Sequence, residues 1–207
     1  MAAWIDRTVT LGDLPEVQQV YCFENRGEEI GVTLHHPHGQ IYAFPFVTPR
    51  TQQMIAQARA NQNLFAQIVS TELDDGRRVI ARNEHWVAFV PPAARWPFEV
   101  RIFPLTQVPD LSVLTEDQQE SFGPVYLTVL RGLDRLFGMP MPYIAAWHQA
   151  PGRDDAAREL FAAHLQVFSV RRAADKLKYL AGTESGMGVW INDIVPEEAA
   201  RRLREAI

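Results

Sequence analysis

The chain has 207 residues, 47% hydrophobic and 22% charged, the balance of a soluble globular chain with enough apolar material for its own core. Its one cysteine, Cys22, excludes an internal disulfide and any Cys-x-x-Cys metal knuckle, and fits a reducing compartment. A net charge of -5 argues against a broad basic surface for duplex nucleic acid.

In chain order, Met1–Asp6 has no basic segment leading into an apolar one, so no signal peptide is expected. No run approaches the roughly 18 apolar residues of a membrane helix, and the expected location is cytoplasmic. Residues 17–25 and 38–46 read as β-strands separated by a polar loop with Gly27 and Gly31. Two strands make no stable domain in water, so this stretch must pack on the rest of the chain or complete a sheet elsewhere. Pro49 opens a helix expected over 50–72, closed by the turn Asp74-Asp75-Gly76. Strands are expected near 78–82, 85–90 and 99–104. Thr115 with Gln118 forms a capping box before a long amphipathic helix over 116–137, which Gly138 and Pro140 end. Two more strands follow at 143–147 and 164–170, then a short helix or turn over 176–182 and a last helix opening at Pro196. The pattern is α+β, with an antiparallel sheet and packed helices. A boundary near residues 72–77 divides it into a unit 1–72 and a fuller unit 73–207.

Three histidines fall within four positions: His35, His36 and His38. In an extended chain His36, His38 and Gln40 share one face and His35 takes the other. Pro37 restrains φ between them, and Gly39 lets a phosphate approach the backbone. A neutral imidazole attacks phosphorus without a deprotonating base, and the Gln40 amide can donate to a phosphoryl oxygen. Spacing alone leaves three readings open: a phosphoryl-transfer nucleophile, part of a metal site, or a plain exposed strand face.

The run Phe23-Glu24-Asn25-Arg26-Gly27, then Gly31, then His36-Pro37-His38-Gly39-Gln40-Ile41-Tyr42-Ala43, resembles the galactose-1-phosphate uridylyltransferases of the histidine-triad superfamily. The resemblance continues through Glu84-His85-Trp86, Trp96-Pro97-Phe98-Glu99, Trp147-His148-Gln149-Ala150-Pro151, Arg171-Arg172-Ala173, Lys178-Tyr179-Leu180-Ala181-Gly182 and Ile191-Asn192-Asp193, in order along the whole chain. It implies a histidine-triad-like fold and a ping-pong reaction of the galactose pathway. His38 would attack the α-phosphorus of UDP-glucose, release glucose 1-phosphate, and pass the uridylyl group to galactose 1-phosphate. By the same resemblance Gln40 contacts the phosphoryl oxygens, and Asn25, Thr33 and Gly39 lie near the nucleotide. Lys178, Tyr179, Gly182 and Glu184 fall in a segment that meets the UDP-sugar across a dimer interface.

The family enzyme has two similar halves, and the resemblance begins late in the first. Residues 1–72 would be the end of an incomplete N-terminal half carrying His-Pro-His-Gly-Gln, and 73–207 a complete second half. The expectation that follows is a subunit or fragment completed by a second chain, or a homodimer. Of the family's zinc site only His36 is matched, so zinc is expected only at an incomplete site. A second family metal site uses a glutamate and three histidines. His148 and His164 match two of these, while Ala162 and Met54 stand where the other histidine and the glutamate are expected. The alternatives are a related nucleotide phosphorylase or hydrolase, and an inactive nucleotide- or partner-binding remnant.

Overall fold

The computed structural model describes residues 1–33, 38–152 and 157–207. Nine strands and six α-helices run in the order α1 (Ala2–Gly12), β1 (Gln19–Arg26), β2 (His38–Phe44), α2 (Pro49–Ala60), α3 (Leu64–Asp75), β3 (Val79–Arg82), β4 (Trp86–Phe89) and β5 (Val100–Pro104) among these residues. They continue with α4 (Glu116–Leu136), β6 (Tyr143–His148), β7 (His164–Phe168), β8 (Arg171–Ala173), β9 (Lys176–Leu177), α5 (Gly182–Met187) and α6 (Pro196–Ala206).

Seven strands form one antiparallel sheet in the order β2-β1-β6-β7-β5-β4-β3. The two early strands therefore satisfy their backbone groups by pairing with the later ones: β1 lies between β2 and β6, with Phe23 opposite Ala146 and Arg26 opposite Tyr143. Strands β8 and β9 form a separate hairpin.

Side-chain alternation sorts the sheet residues onto two faces. Val20, Cys22, Trp86, Ala88, Val100, Ile102, Tyr143, Trp147, Leu165 and Val167 build the larger core, together with Val129 and Leu133 of α4 and Ala199 and Leu203 of α6. Their alternates Val87, Phe89 and Phe103 meet Ile55 and Ala58 of α2 and Phe65 of α3 in a second cluster. Thus α1, α4 and α6 cover one face, and α2 and α3 cover part of the other.

Three local outcomes differ from the sequence expectation. The helix over 50–72 is two helices. Asn61 leaves α2 with extended angles (φ -138°, ψ 95°) and Asn63 starts α3, so two asparagines act as breaks where periodicity reads continuity. The segment 176–182 is not one short helix: Lys176 and Leu177 pair back on β8, and helix begins only at Gly182. Helix α1 carries no cap signal, with Met1 as its N-cap and no acidic residue in its first turn. It is held by burial instead, as Trp4, Ile5 and Leu11 pack on the larger core.

The capping box is present as read: Thr115 Oγ1 accepts from the Gln118 amide at 3.2 Å, and Gln118 Oε1 accepts from the Thr115 amide at 2.9 Å. Thr115→Ala is expected to cost about 1 kcal/mol, a fall in Tm of roughly 2–4 °C for a chain this long. Thermal unfolding followed by circular dichroism checks this, with Thr128→Ala on the exposed side of α4 as the near-neutral control.

Candidate functional site

Strand β1 displays Gln19, Tyr21, Phe23 and Asn25 on the α2–α3 face. Register places these opposite Phe44, Tyr42, Gln40 and His38 of β2. Asn25, His38 and Gln40 thus meet at one end of that face, with His38 exposed to solvent. An aromatic ladder runs away from them. Tyr21 stacks on Phe23 at 5.1 Å between ring centroids, Phe23 meets Tyr42 edge-on at 5.1 Å, and Tyr42 leads to Phe44 at 6.1 Å. Gln40 Nε2 donates to the Tyr42 hydroxyl at 3.4 Å. The Asn25 Oδ1 atom is buried and has no partner among the described residues. A buried amide oxygen left this way costs stability unless something donates to it.

The opposite face of β1 explains how this end is held. Glu24 points toward α4, where its carboxylate accepts from the Tyr126 hydroxyl at 3.4 Å and from the Tyr143 hydroxyl. Burial, with the Glu24 charge adding to it, pushes both phenols above their ordinary range, so both remain donors. Arg26 pairs with Asp134 and lies 5.0 Å over the Tyr143 ring. Just beyond, Gly27 adopts φ 112°, and a Cβ there would fall 2.5 Å from Pro142 Cβ. Glycine is required by both the dihedral and the space. The chain then turns through Glu28–Ile30 and Gly31 (φ 85°) to Thr33, which is exposed. His36, read as an orphaned zinc ligand, lies outside the described residues.

His148 and His164 come together as cross-strand partners, with ring centroids 5.1 Å apart. Each ring has one nitrogen held by a neighbour. Gln166 Nε2 donates to Glu99 Oε1 at 2.6 Å and Gln166 Oε1 accepts from the Arg50 guanidinium at 2.9 Å, which fixes the amide orientation. His148 Nε2, 3.0 Å from that same oxygen, must then be the protonated nitrogen. His164 Nδ1 faces the Ala162 carbonyl at 2.9 Å, and its ring stacks on Phe103 at 4.3 Å. Ala162 and Met54 supply no hard ligand and pack in the apolar cluster. Among the described residues no group of three or more His, Cys, Asp or Glu side chains could hold a metal ion. The described residues do not fit the expected metal.

Lys178 is held within its own part of the chain. Its ammonium donates to the carbonyls of Arg95, at 2.8 Å, and of Ile191. It sits 5.6 Å from the Trp96 ring and 5.8 Å from that of Trp190, with Glu184 at 3.8 Å. Tyr179 beside it is 78% exposed. Gly182 opens α5, and Glu184 accepts from the Ala181 and Ile191 amides, so these two residues fasten the segment's own backbone. None of the contacts described for this segment is to Asn25, His38 or Gln40.

Sequence reasoning missed Glu24 as an anchor and the Arg50–Gln166–Glu99 chain. Period-two aromatics at 21, 23 and at 42, 44, 46 were a readable sign of an exposed ladder. Nothing in the spacing of Arg50, Glu99 and Gln166 foretells their meeting.

The fold and this site define a mixed α+β chain with an imidazole, an amide and a backbone glycine exposed at one sheet edge. Residues 49–207 match the family model described as galactose-1-phosphate uridyl transferase, C-terminal domain, and residues 1–48 match its N-terminal domain. The chain belongs to the galactose-1-phosphate uridyl transferase family. It is similar to the galactose-1-phosphate uridylyltransferase of Streptomyces lividans, 48% identical over 98% of this chain and 61% of the relative. The Thermotoga maritima enzyme of the same name is 37% identical over 98% and 64%. A solved uridylyltransferase superposes with a TM-score of 0.92 at 32% identity, covering 99% of this chain and 65% of that one. An Arabidopsis thaliana ADP-glucose phosphorylase shares the fold, with a TM-score of 0.86 at 22% identity. The chain thus spans a little under two thirds of the length of the curated relatives it matches. Both family models are represented in this one chain, so the expected separate chain supplying the N-terminal half is not supported. Among the described residues no helix is long and apolar enough to cross a membrane.

Burial, with the nearby Arg50 charge, pushes the His148 imidazole down to about 3, and burial carries His164 the same way. Both are neutral in the folded chain, whereas the unfolded chain takes up protons near pH 6.5. Folding therefore loses stability as pH falls from 6.5 toward 3. Between pH 7.5 and 5 the loss from His148 alone is roughly 2 kcal/mol. Urea unfolding at the two pH values measures it, and His148→Gln should remove that share and leave the His164 share.

Proposed function

We propose that this chain carries uridylyl transfer between UDP-glucose and galactose 1-phosphate through a covalent intermediate on His38, as a cytoplasmic enzyme. The observation that carries the reading is the exposed His38 at the end of the aromatic face, in register with Asn25 and two residues from Gln40 on the same side. Family membership supports the same chemistry.

In the first half-reaction an imidazole nitrogen of His38 bonds to the α-phosphorus of UDP-glucose. The bond from that phosphorus to the bridging oxygen breaks, and glucose 1-phosphate departs with the electron pair. In the second half-reaction a phosphate oxygen of galactose 1-phosphate attacks the same phosphorus and the P–N bond breaks, returning His38. The Gln40 amide is placed to donate to the phosphoryl oxygens, and Gly39 leaves its backbone open to them. The orphaned Asn25 oxygen takes a donor from the ligand, with Thr33 bordering the same end. Residues 1–72 supply this machinery on β1 and β2, and 73–207 the five strands that complete their sheet. Exposed Tyr179, with Lys178, Gly182 and Glu184 behind it, is assigned to a neighbouring copy's UDP-sugar in a homodimer. Lys178 would join only on leaving its tryptophan cage.

Isotope exchange tests the first half-reaction. Labelled glucose 1-phosphate should enter UDP-glucose without galactose 1-phosphate, the signature of a ping-pong intermediate. His38→Gln is expected to abolish exchange, and Gln40→Ala to lower it ~10²-fold, as for loss of one oxyanion donor. Full exchange by His38→Gln would overturn the proposal. Exchange with inorganic phosphate in place of the sugar phosphate would assign the chain to phosphorolysis.

A further inference from the structure

Where resemblance places a metal, this chain gathers positive charge instead. Arg50 reaches Gln166, whose amide reaches Glu99, and Glu99 in turn accepts from Arg101 Nε at 3.4 Å and from the Arg95 backbone amide at 2.8 Å. Glu99 is fully buried. Among the described residues the charged side chains that act most on Arg50 are Arg95 and Arg101, of like sign, and the Glu99 carboxylate, with the Tyr21 hydroxyl also acting on it. Among the described residues three guanidinium groups thus share one buried negative charge, and the Arg95 guanidinium is turned onto the Trp190 ring at 5.3 Å. Burial and the two like charges lower the Arg50 guanidinium to about 10.

Arg50 opens onto a cavity of about 220 Å³ between α2 and β1, which Tyr21, Thr48, Thr51 and His148 also line. That lies below the ~300–1,000 Å³ typical of sites for drug-sized ligands and suits a small ion with its waters. Among the described residues no carboxylate lines it. Thr51 Oγ1 accepts from Gln19 Nε2 at 2.9 Å and from Thr48 Oγ1 at 3.1 Å, so its own proton is available to a third partner. His148 is neutral and its Nε2 donates to Gln166, so that nitrogen is not open to a cation there. The Gln19–Phe44 end of the β1–β2 pair is six residues from the Asn25–His38 end, ~20 Å along the strands.

We propose that this cavity is a second ligand site, taking a small phosphate-type oxyanion on the Arg50 guanidinium and the Tyr21 and Thr51 hydroxyls, apart from the His38 end of the same face. An oxyanion matches the guanidinium fork and balances the excess positive charge, which a divalent cation would worsen.

Isothermal titration of inorganic phosphate into the full chain tests this, using the unaltered protein, His38→Gln and Arg50→Met. The expected result is one phosphate bound equally well by the unaltered protein and by His38→Gln, weakened at least ~10-fold in Arg50→Met. Because His38→Gln removes the proposed nucleophile, failure of the uridylyl-transfer reading leaves this outcome unchanged. No phosphate binding, undiminished binding by Arg50→Met, or loss in His38→Gln would each overturn the proposal. If Arg50→Met does not fold, Arg101→Gln, which removes one charge without touching the proposed ligand, should weaken binding several-fold, and unchanged affinity would count against the site. Stoichiometric Zn²⁺ binding that displaces phosphate would also overturn it.

Discussion

Everything at the candidate site hangs on strand β1 being gripped from one side while it displays its other side. Glu24 is tied to Tyr126 and Tyr143 under α4, and Arg26 to Asp134. Because alternate residues face opposite ways, these anchors fix the direction of Phe23 and Asn25 without occupying the open face. Pairing with β6 on one edge and β2 on the other leaves β1 no freedom to slip by one residue. A slip would turn Glu24 into the aromatic ladder and Asn25 into the core. His38 inherits its place from Asn25 through that register. The nucleophile proposed for uridylyl transfer is thus positioned by residues that never face it.

The same open face is divided by its electrostatics. At the His38 end the polar groups are an imidazole and amides, exposed or short of a partner. Toward α2 the polar groups are interlocked, with Gln166 bridging Arg50, His148 and Glu99. An interlocked chain of this kind holds α2 to the sheet, while burial keeps both histidines neutral. Its cost is a cluster of cations with too few anions, the condition that makes an anion the fitting occupant of the neighbouring cavity.

Much of this was legible in the sequence. The strands around Tyr21, Tyr42, Val87, Ile102, Ala145 and Leu165 follow from β-branched and aromatic patterning, and the Thr115–Gln118 box from capping chemistry. The resemblance carried by Phe-Glu-Asn and His-Pro-His-Gly-Gln led to the right family. What stayed illegible depends on contacts distant in sequence. Nothing local marks Ala2–Gly12 as a helix, because its support is the core under Trp147. Periodicity runs through Asn61 and Asn63 although the backbone breaks there. Nothing near Lys178 in sequence shows that two tryptophans 82 and 12 positions away lie beside its charge. Nor does spacing show that Gln166 joins Arg50 and Glu99 beside His148.

Family membership and fold are properties of this chain as it stands, and the covalent step at His38 is the claim on which the functional account rests. The most direct measurement is the mass of the peptide containing His38 after incubation with UDP-glucose and acid-free digestion. The account predicts one uridylyl group added to that peptide, assigned to His38 by fragmentation and removed by galactose 1-phosphate. An unmodified peptide, or a uridylyl group on any other residue, would contradict it.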